Sequence, residues 1–175
     1  MSEPLPPPSP PGASRFARVL FCTDFSESAD AAFEFALDAV VRRPGATLCL
    51  LHVIHEPEAQ FWKSYLYEVD NVEADARRAM EARMTTTYLA RVPAGVECRV
   101  EFRVGPDAAT ILEFAATERM DLIVLGRHGH GGVGQALFGS VAEKVVRKAH
   151  AAVLVVPLSY ARAGCPQRRE PPGPG

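Results

Sequence analysis

The chain has 175 residues and a formal net charge of −2, which is the length of a single domain and argues against the basic surface of a nucleic-acid-binding protein. It has no apolar run long enough to span a membrane, and no basic N-terminal segment leads into an apolar stretch. Its four cysteines form no C-x-x-C pair, which fits a reducing compartment. We therefore expect a cytoplasmic protein that does not bind membranes.

Both ends of the chain are rich in proline. Residues 1–15 and 160–175 contain too few large apolar side chains to offset the entropy that is lost on ordering, so we predict two disordered tails. Between them we predict one domain over residues 16–159, and a chain of that length buries roughly two-thirds of its unfolded surface.

Five apolar runs predict β-strands. Four of them are almost continuously apolar, which is typical of strands that are covered on both faces. The third run alternates, with Val96, Cys98, Val100, Phe102 and Val104 on one side and charged residues on the other. We therefore expect it at an edge of the sheet. The runs lie at residues 17–22, 47–54, 96–104, 121–126 and 152–157.

Helical periodicity fills the segments between the runs. The first helix should begin at Ser26 as N-cap and end at Arg42 and Arg43, before Pro44. We predict a second helix over residues 66–92, with a stripe that includes Met80, a third after residues 105–107, and a fourth over residues 142–149. Strict alternation of strands and helices predicts an α/β fold, a doubly wound parallel sheet with helices on both faces.

The segment between the fourth strand and the last helix is the most informative part of the chain. Residues 126–140 contain six glycines, whose backbone N–H groups can approach an anion without obstruction by a Cβ. Ser140 falls where an N-cap belongs, so the helix should direct its positive end at the same place. These features predict a phosphate site, and the alternative is a loop without a ligand.

Two common phosphate motifs do not fit this segment. A P-loop requires a lysine where the chain has Gln135. The pattern G-x-G-x-x-G is present at Gly129, Gly131 and Gly134, but it follows the fourth strand, and no acidic residue ends a strand about 20 residues later. We interpret that match as accidental.

A third pattern carries a family resemblance. Gly126 and Gly129, followed after nine residues by Gly139 and Ser140, match the Gly-2x-Gly-9x-Gly-Ser/Thr signature of ATP-binding universal stress proteins. The similarity covers about residues 18–158 and includes VLFCTDFSESA, LLHVI, DLIVLGRHG and AVLVVP in that order. The resemblance implies a five-stranded parallel sheet in the order 3-2-1-4-5.

The resemblance also implies where a nucleotide binds. It assigns Asp24, beside Thr23, to the adenosine part, and the backbone around Val53 to the adenine edge. Asp24 could instead cap the first helix, a role for which Ser26 competes. The family positions around the ribose and phosphates, which act mostly through backbone N–H groups, are Gly126, His128, Gly129, Gly139, Ser140 and Val141.

Charged and metal-ligating residues near the signature are few. Arg127 either reaches the phosphates or is solvated. His128 and His130 have no third ligand nearby, so we predict no protein metal site and expect any Mg²⁺ to be held mainly by the phosphates of ATP. We assign no catalytic residue.

Three functions remain open at this stage. The first is an ATP-binding regulatory protein of the stress response, the second a slow ATPase or autokinase, and the third a nucleotide-free dimeric interaction module. The family commonly dimerises through the last strand, and an unpaired apolar edge is a liability. We therefore predict a homodimer that pairs through Val153, Leu154, Val155 and Val156.

Overall fold

A computed structural model of the protein describes residues 16–54, 72–128 and 139–159. The predicted tails at 1–15 and 160–175 lie outside the described residues, as does Gly129. In chain order, the helices and strands are β1 (Arg18–Thr23), α1 (Glu27–Val41), β2 (Thr47–Ile54), α2 (Val72–Thr87), a 3₁₀ turn (Leu89–Arg91), β3 (Glu97–Val104), α3 (Asp107–Thr117), β4 (Leu122–Gly126), α4 (Ser140–Lys148) and β5 (Ala152–Val156).

The strands form one parallel sheet in the order β3-β2-β1-β4-β5. The α/β prediction and the implied strand order are both confirmed. β1 lies at the centre, where it pairs with β2 on one side and with β4 on the other. The chain therefore winds outward in both directions from β1, and ligands of such sheets sit where the strand order reverses.

Alternate side chains of the inner strands pack into two separate hydrophobic cores, one on each face of the sheet. In β1, Val19 and Phe21 pack with buried residues of α1 and with Met84 of α2 on one face of the sheet. Leu20 and Cys22 pack on the opposite face with α3 and α4. Both faces are covered, which explains why the inner strands contain almost continuous runs of apolar side chains.

The helix boundaries follow local sequence signals with two exceptions. The second helix is predicted over residues 66–92, but α2 ends at Thr87. Residues 66–71 of the predicted helix lie outside the described part of the chain. The predicted stripe includes Met80, which is half-buried, whereas the fully buried residues one and two turns later are Met84 and Tyr88.

The second exception is the N-terminus of α4. The predicted N-cap, Ser140, is the first helical residue, and the N-cap is Gly139. Gly139 has extended φ and ψ angles, and no side chain caps this helix. The helix thus begins one residue earlier than a Ser140 cap would predict, and the Ser140 hydroxyl is not used as a cap.

The two edge strands of the sheet differ in character. β3 is an edge strand, as predicted, and it carries Arg99, Glu101 and Arg103 among its apolar residues. Val104 was predicted on the apolar side but is 57% exposed, because it ends the strand. β5 forms the other edge and contains no charged residue; Val153, Leu154 and Val155 are half-buried there, although the run predicted a strand covered on both faces.

Candidate functional site

The carboxyl ends of β1 and β4 form the centre of the candidate site. The register pairs Phe21 with Val124, and continuing it sets Thr23 beside Gly126. Neighbouring strands are about 4.8 Å apart, so the segments that follow these two residues leave the sheet side by side. Asp24 and Arg127, predicted from widely separated parts of the sequence, therefore emerge at the same edge.

Asp24 is exposed and begins a tight turn into α1. Its Oδ1 accepts a hydrogen bond from the Ser26 backbone N–H at 3.0 Å. The Ser26 hydroxyl in turn accepts from the Ala29 N–H at 3.2 Å and caps the helix. The prediction that Ser26 is the N-cap is confirmed, and the alternative that Asp24 caps α1 is wrong.

Thr23 lies beneath this turn and joins a buried chain of hydrogen bonds. The Phe25 N–H donates to Thr23 Oγ1 at 2.9 Å, Thr23 Oγ1 lies 2.8 Å from the Tyr88 hydroxyl, and that hydroxyl donates to Asp30 Oδ1 at 2.6 Å. Tyr88 has one phenolic hydrogen, which Asp30 receives, so Thr23 is the donor in the middle bond. Burial and the bond to Asp30 both raise the pKa of Tyr88, which keeps the phenol protonated.

Phe25 adopts a left-handed backbone conformation, with φ of +61°, which is strained for an aromatic residue. Its ring is held by its neighbours: the His52 ring centroid is 4.8 Å away, that of Tyr88 is 5.9 Å away, and the Arg83 guanidinium lies 4.3 Å above the ring. The His52 Nδ1 is 2.8 Å from the Thr23 carbonyl oxygen. His52 therefore helps to hold this turn in place.

Gly126 ends β4 against the first turn of α1. A Cβ at this position would lie 2.6 Å from the carbonyl carbon, carbonyl oxygen and Oγ of Ser28. Two residues later, the His128 backbone N–H points at Ser28 Oγ, at 3.4 Å. Glycine is required at 126 for close packing of backbone on backbone, and Ser28 is a site neighbour that sequence reasoning did not identify.

The backbone of Arg127 joins three elements at this edge. Its N–H donates to the Val156 carbonyl at the end of β5 at 2.9 Å, and its carbonyl accepts from the Gly139 N–H at 2.8 Å. The Arg127 side chain donates from Nε to His128 Nε2 at 2.8 Å, which requires His128 to carry its proton on Nδ1. The glycine-rich segment thus begins and ends at one point of the sheet edge.

α4 begins directly after that point. Val141 is half-buried in the core beneath it, and Ser140 is exposed. Ser140 and Val141 also line a cleft of about 410 Å³ between α3 and α4, together with Asp107 and Lys144. Val53 lies further along the sheet edge, half-buried near the end of β2 and paired with Arg103; neither Val53 nor Asp24 lines the cleft.

The chemistry of these groups suits an anionic ligand with a polar, uncharged body. Free backbone N–H groups at a helix N-terminus, with an adjacent guanidinium, attract phosphate. A carboxylate accepts hydrogen bonds from hydroxyl or amino groups. Among the described residues, no group of three or more His, Cys, Asp or Glu side chains could hold a metal ion.

The site contains no activated thiol in the described part of the chain. Cys22 precedes Thr23 in β1, and burial raises the pKa of its thiol far above the usual value. A protonated, buried thiol is a poor nucleophile. In the ranges 16–54, 72–128 and 139–159, no helix is long and apolar enough to cross a membrane.

The sequence matches known proteins over most of its length. The model of the universal stress protein family matches residues 15–157. A universal stress protein of Thermus aquaticus is 32% identical over 141 residues, which cover 81% of this chain and 98% of that protein. A shorter segment of 62 residues is 47% identical to universal stress protein MJ0531 of Methanocaldococcus jannaschii and spans 35% of this chain and 36% of that one.

Solved structures share the fold. The structure of MJ0577, from Methanocaldococcus jannaschii, superposes with a TM-score of 0.66 at 30% identity and covers 82% of this chain and 97% of that chain. A universal stress protein crystallised in complex with cAMP has a TM-score of 0.53 at 22% identity, over 82% of this chain and 98% of that chain.

Proposed function

The chain belongs to the universal stress protein family, and from that premise we propose that it binds ATP at the carboxyl edge of β1 and β4 and acts as a regulatory protein of the stress response. The observation that carries the proposal is that the ends of β1 and β4 lie side by side. Asp24 directly follows β1, and the glycine signature begins at Gly126, the last residue of β4, 102 residues later in the sequence.

The residues of this edge divide between the two halves of a nucleotide. Asp24 and the backbone near Val53 would receive the ribose and adenine. The N–H groups at the start of α4, with Gly126 and His128, would receive the phosphates, and Arg127 is close enough in sequence to add charge. Gly129 belongs to the same signature, and Mg²⁺ would be held mainly by phosphate oxygens.

The likeness to the universal stress protein crystallised with cAMP, at 22% identity, is evidence for the fold alone. The choice of ATP therefore depends on the complete Gly-2x-Gly-9x-Gly-Ser signature of the chain itself, from Gly126 to Ser140.

Calorimetry on the purified protein tests the proposal. We expect ATP and ADP to bind to the wild type, and Asp24→Ala to raise the Kd at least tenfold, because a hydrogen bond to a charged group contributes on the order of 1.5–3 kcal/mol. Asp38→Ala is the matched control: Asp38 is an exposed aspartate of α1 that pairs with Arg42, and its loss should leave the Kd unchanged. Absence of ATP binding at millimolar concentration would refute the proposal.

Hydrolysis is the alternative activity of the same site. A steady phosphate-release assay separates hydrolysis from binding alone: the proposed binding protein releases phosphate no faster than Asp24→Ala, whereas an ATPase loses its rate in that variant. An autokinase transfers the γ-phosphoryl group of ATP to the protein itself, so it is followed by labelling of the protein, which the same variant should lose. Bound nucleotide recovered by extraction would argue against a nucleotide-free interaction module.

The contrast between the two sheet edges supports a homodimer. β3 presents charged side chains at its edge, which discourages pairing, whereas β5 carries no charge: Val153, Leu154 and Val155 are half-buried, and Val156 is buried. We propose that two copies pair through β5.

Light scattering at micromolar concentration should give twice the monomer mass for the wild type. Leu154→Lys, at the edge, should give the monomer mass. Val41→Lys is the control, since Val41 is an apolar residue of α1 that is 53% exposed and does not belong to β5. A monomeric wild type would contradict the dimer and leave the nucleotide proposal intact.

A further inference from the structure

The turn that carries Asp24 is held from below by a residue of a distant segment. Tyr88 follows α2, 65 residues after Thr23, and its side chain is fully buried. Its hydroxyl links Thr23 to Asp30 and so ties the end of β1 to α1. Tyr88 is not among the residues predicted to contact the nucleotide.

We propose that Tyr88 is a positioning residue: through the Thr23 hydroxyl it fixes the strained turn at Phe25 and thereby aims the Asp24 carboxylate at the nucleoside. The inference rests on the proposed function, since it concerns how the nucleotide site is shaped.

The hydrogen bonds have a direction that makes Tyr88 the anchor. Asp30 accepts from Tyr88, Tyr88 accepts from Thr23, and Thr23 accepts from the Phe25 N–H. Consecutive bonds of this kind polarise one another in a buried setting. This series of hydrogen bonds therefore ends at the backbone N–H of Phe25, the residue that directly follows Asp24.

Phe25 needs such support because its backbone conformation is unfavourable. A non-glycine residue at φ of +61° persists only where its surroundings over-determine it. The Arg83 guanidinium, 4.3 Å above the Phe25 ring, and His52 hold the side chain, while the Thr23 hydroxyl holds the backbone. Without the Tyr88 hydroxyl, the Thr23 hydroxyl loses its acceptor and is held by the Phe25 N–H alone, so the backbone of the turn is less constrained.

The consequence for binding is a population effect. If the turn keeps its binding conformation in only a tenth of the molecules, the apparent Kd rises roughly tenfold. Tyr88→Phe isolates this effect, because the ring retains its packing on Phe21 and Phe33, whose ring centroids lie 5.1 and 4.8 Å away.

Calorimetry with ATP tests the inference through a double-mutant cycle. We expect Tyr88→Phe to raise the Kd roughly tenfold in the wild-type background and to leave it unchanged in the Asp24→Ala background. Thr23→Val, which removes the same link from the other side, should reproduce the first effect. Met84→Ala is the matched control: Met84 is fully buried one turn earlier, so its loss should lower Tm at least as much and leave the Kd unaltered.

The outcomes separate the two proposals. A wild type that does not bind ATP overturns the proposed function and this inference with it. A wild type that binds, with Tyr88→Phe and Thr23→Val binding equally well, overturns the inference alone. So does a Tyr88→Phe loss that persists after removal of Asp24, because the hydroxyl would then act by another route.

Discussion

Gly126 and Ser28 lie in direct backbone contact, so that a Cβ on Gly126 would come within 2.6 Å of the Ser28 carbonyl. The first glycine of the signature therefore lets the first turn of α1 close against the end of β4. This contact brings the turn at Asp24 next to the segment that begins at Arg127. The shape of the candidate site depends on it before any ligand is considered.

We expect Gly126→Ala to lower the free energy of unfolding by about 1–3 kcal/mol, because the added methyl group meets backbone atoms that can give way only if α1 shifts. The shift should also weaken ATP binding. Urea unfolding and calorimetry on the same variant measure the two effects.

Gly95→Ala serves as the control for that substitution. Gly95 has φ of +92° but open space around it, so alanine there adds backbone strain without a steric contact. It should lower stability and leave the Kd for ATP unchanged. A Gly126→Ala protein with wild-type affinity would show that the contact with Ser28 does not shape the site.

Ser26→Ala should destabilise the protein by about 1 kcal/mol, because the Ala29 N–H loses the side-chain acceptor that caps α1. Urea unfolding measures the loss. Ser26→Asp retains a capping oxygen and should recover most of the stability; if both variants lost the same amount, the cap would contribute nothing.

Asp121 lies at the amino-terminal ends of β1 and β4, opposite the candidate site. Its Oδ2 accepts hydrogen bonds from the backbone N–H groups of Ala17 at 3.0 Å and Arg18 at 2.8 Å. We expect Asp121→Ala to cost about 1–2 kcal/mol of stability. Because these bonds lie at the amino edge, ATP affinity should not change. A weaker ATP affinity of Asp121→Ala, measured where the variant is fully folded, would mean that the amino-terminal ends of the strands influence the binding site.

Stability should fall at alkaline pH because Cys22 and Cys49 are buried and Cys98 is half-buried. Burial raises the pKa of Cys49 to about 12 and that of Cys98 to about 11, from a usual value of 9.0. The unfolded chain loses these protons above about pH 9 while the folded chain keeps them. The stability is therefore fully present below pH 9 and decreases as pH rises through 9 to 12, by up to about 1.4 kcal/mol per pH unit for each fully buried thiol.

Urea unfolding from pH 7 to 10.5 tests this pH dependence. The difference between the wild type and Cys49→Ala isolates one thiol, and the variant should lose stability less steeply above pH 9. Parallel curves for the two proteins over that range would contradict the assignment.

The sequence patterns that predicted the fold correctly are local and periodic. β2 begins and ends at the predicted residues, and β3 is an edge strand. These predictions succeed because a strand buried on both faces has a continuous apolar run, whereas a strand buried on one face has alternating apolar and polar residues. The strand order that sets β1 beside β4 has no local signature, and it was implied by the family resemblance.

The parts of the candidate site that were missed depend on contacts between distant residues. Tyr88 reaches Thr23 across 65 positions, and Ser28 packs on Gly126 across a strand pairing. Nothing near Tyr88 marks it as part of an edge site, although its spacing from Met84 does place it on the buried face. The N-cap of α4 was misjudged by one residue, since Gly139 can take the extended conformation of a cap as readily as serine.

The hydrogen bond between the Gly139 N–H and the Arg127 carbonyl closes the chain on itself at the sheet edge. The entropic cost of closing a loop rises only slowly with its length, by about 0.6 kcal/mol for each doubling. Descendants of such a gene can therefore lengthen, shorten or replace the stretch between these two anchors while the remaining scaffold folds as before.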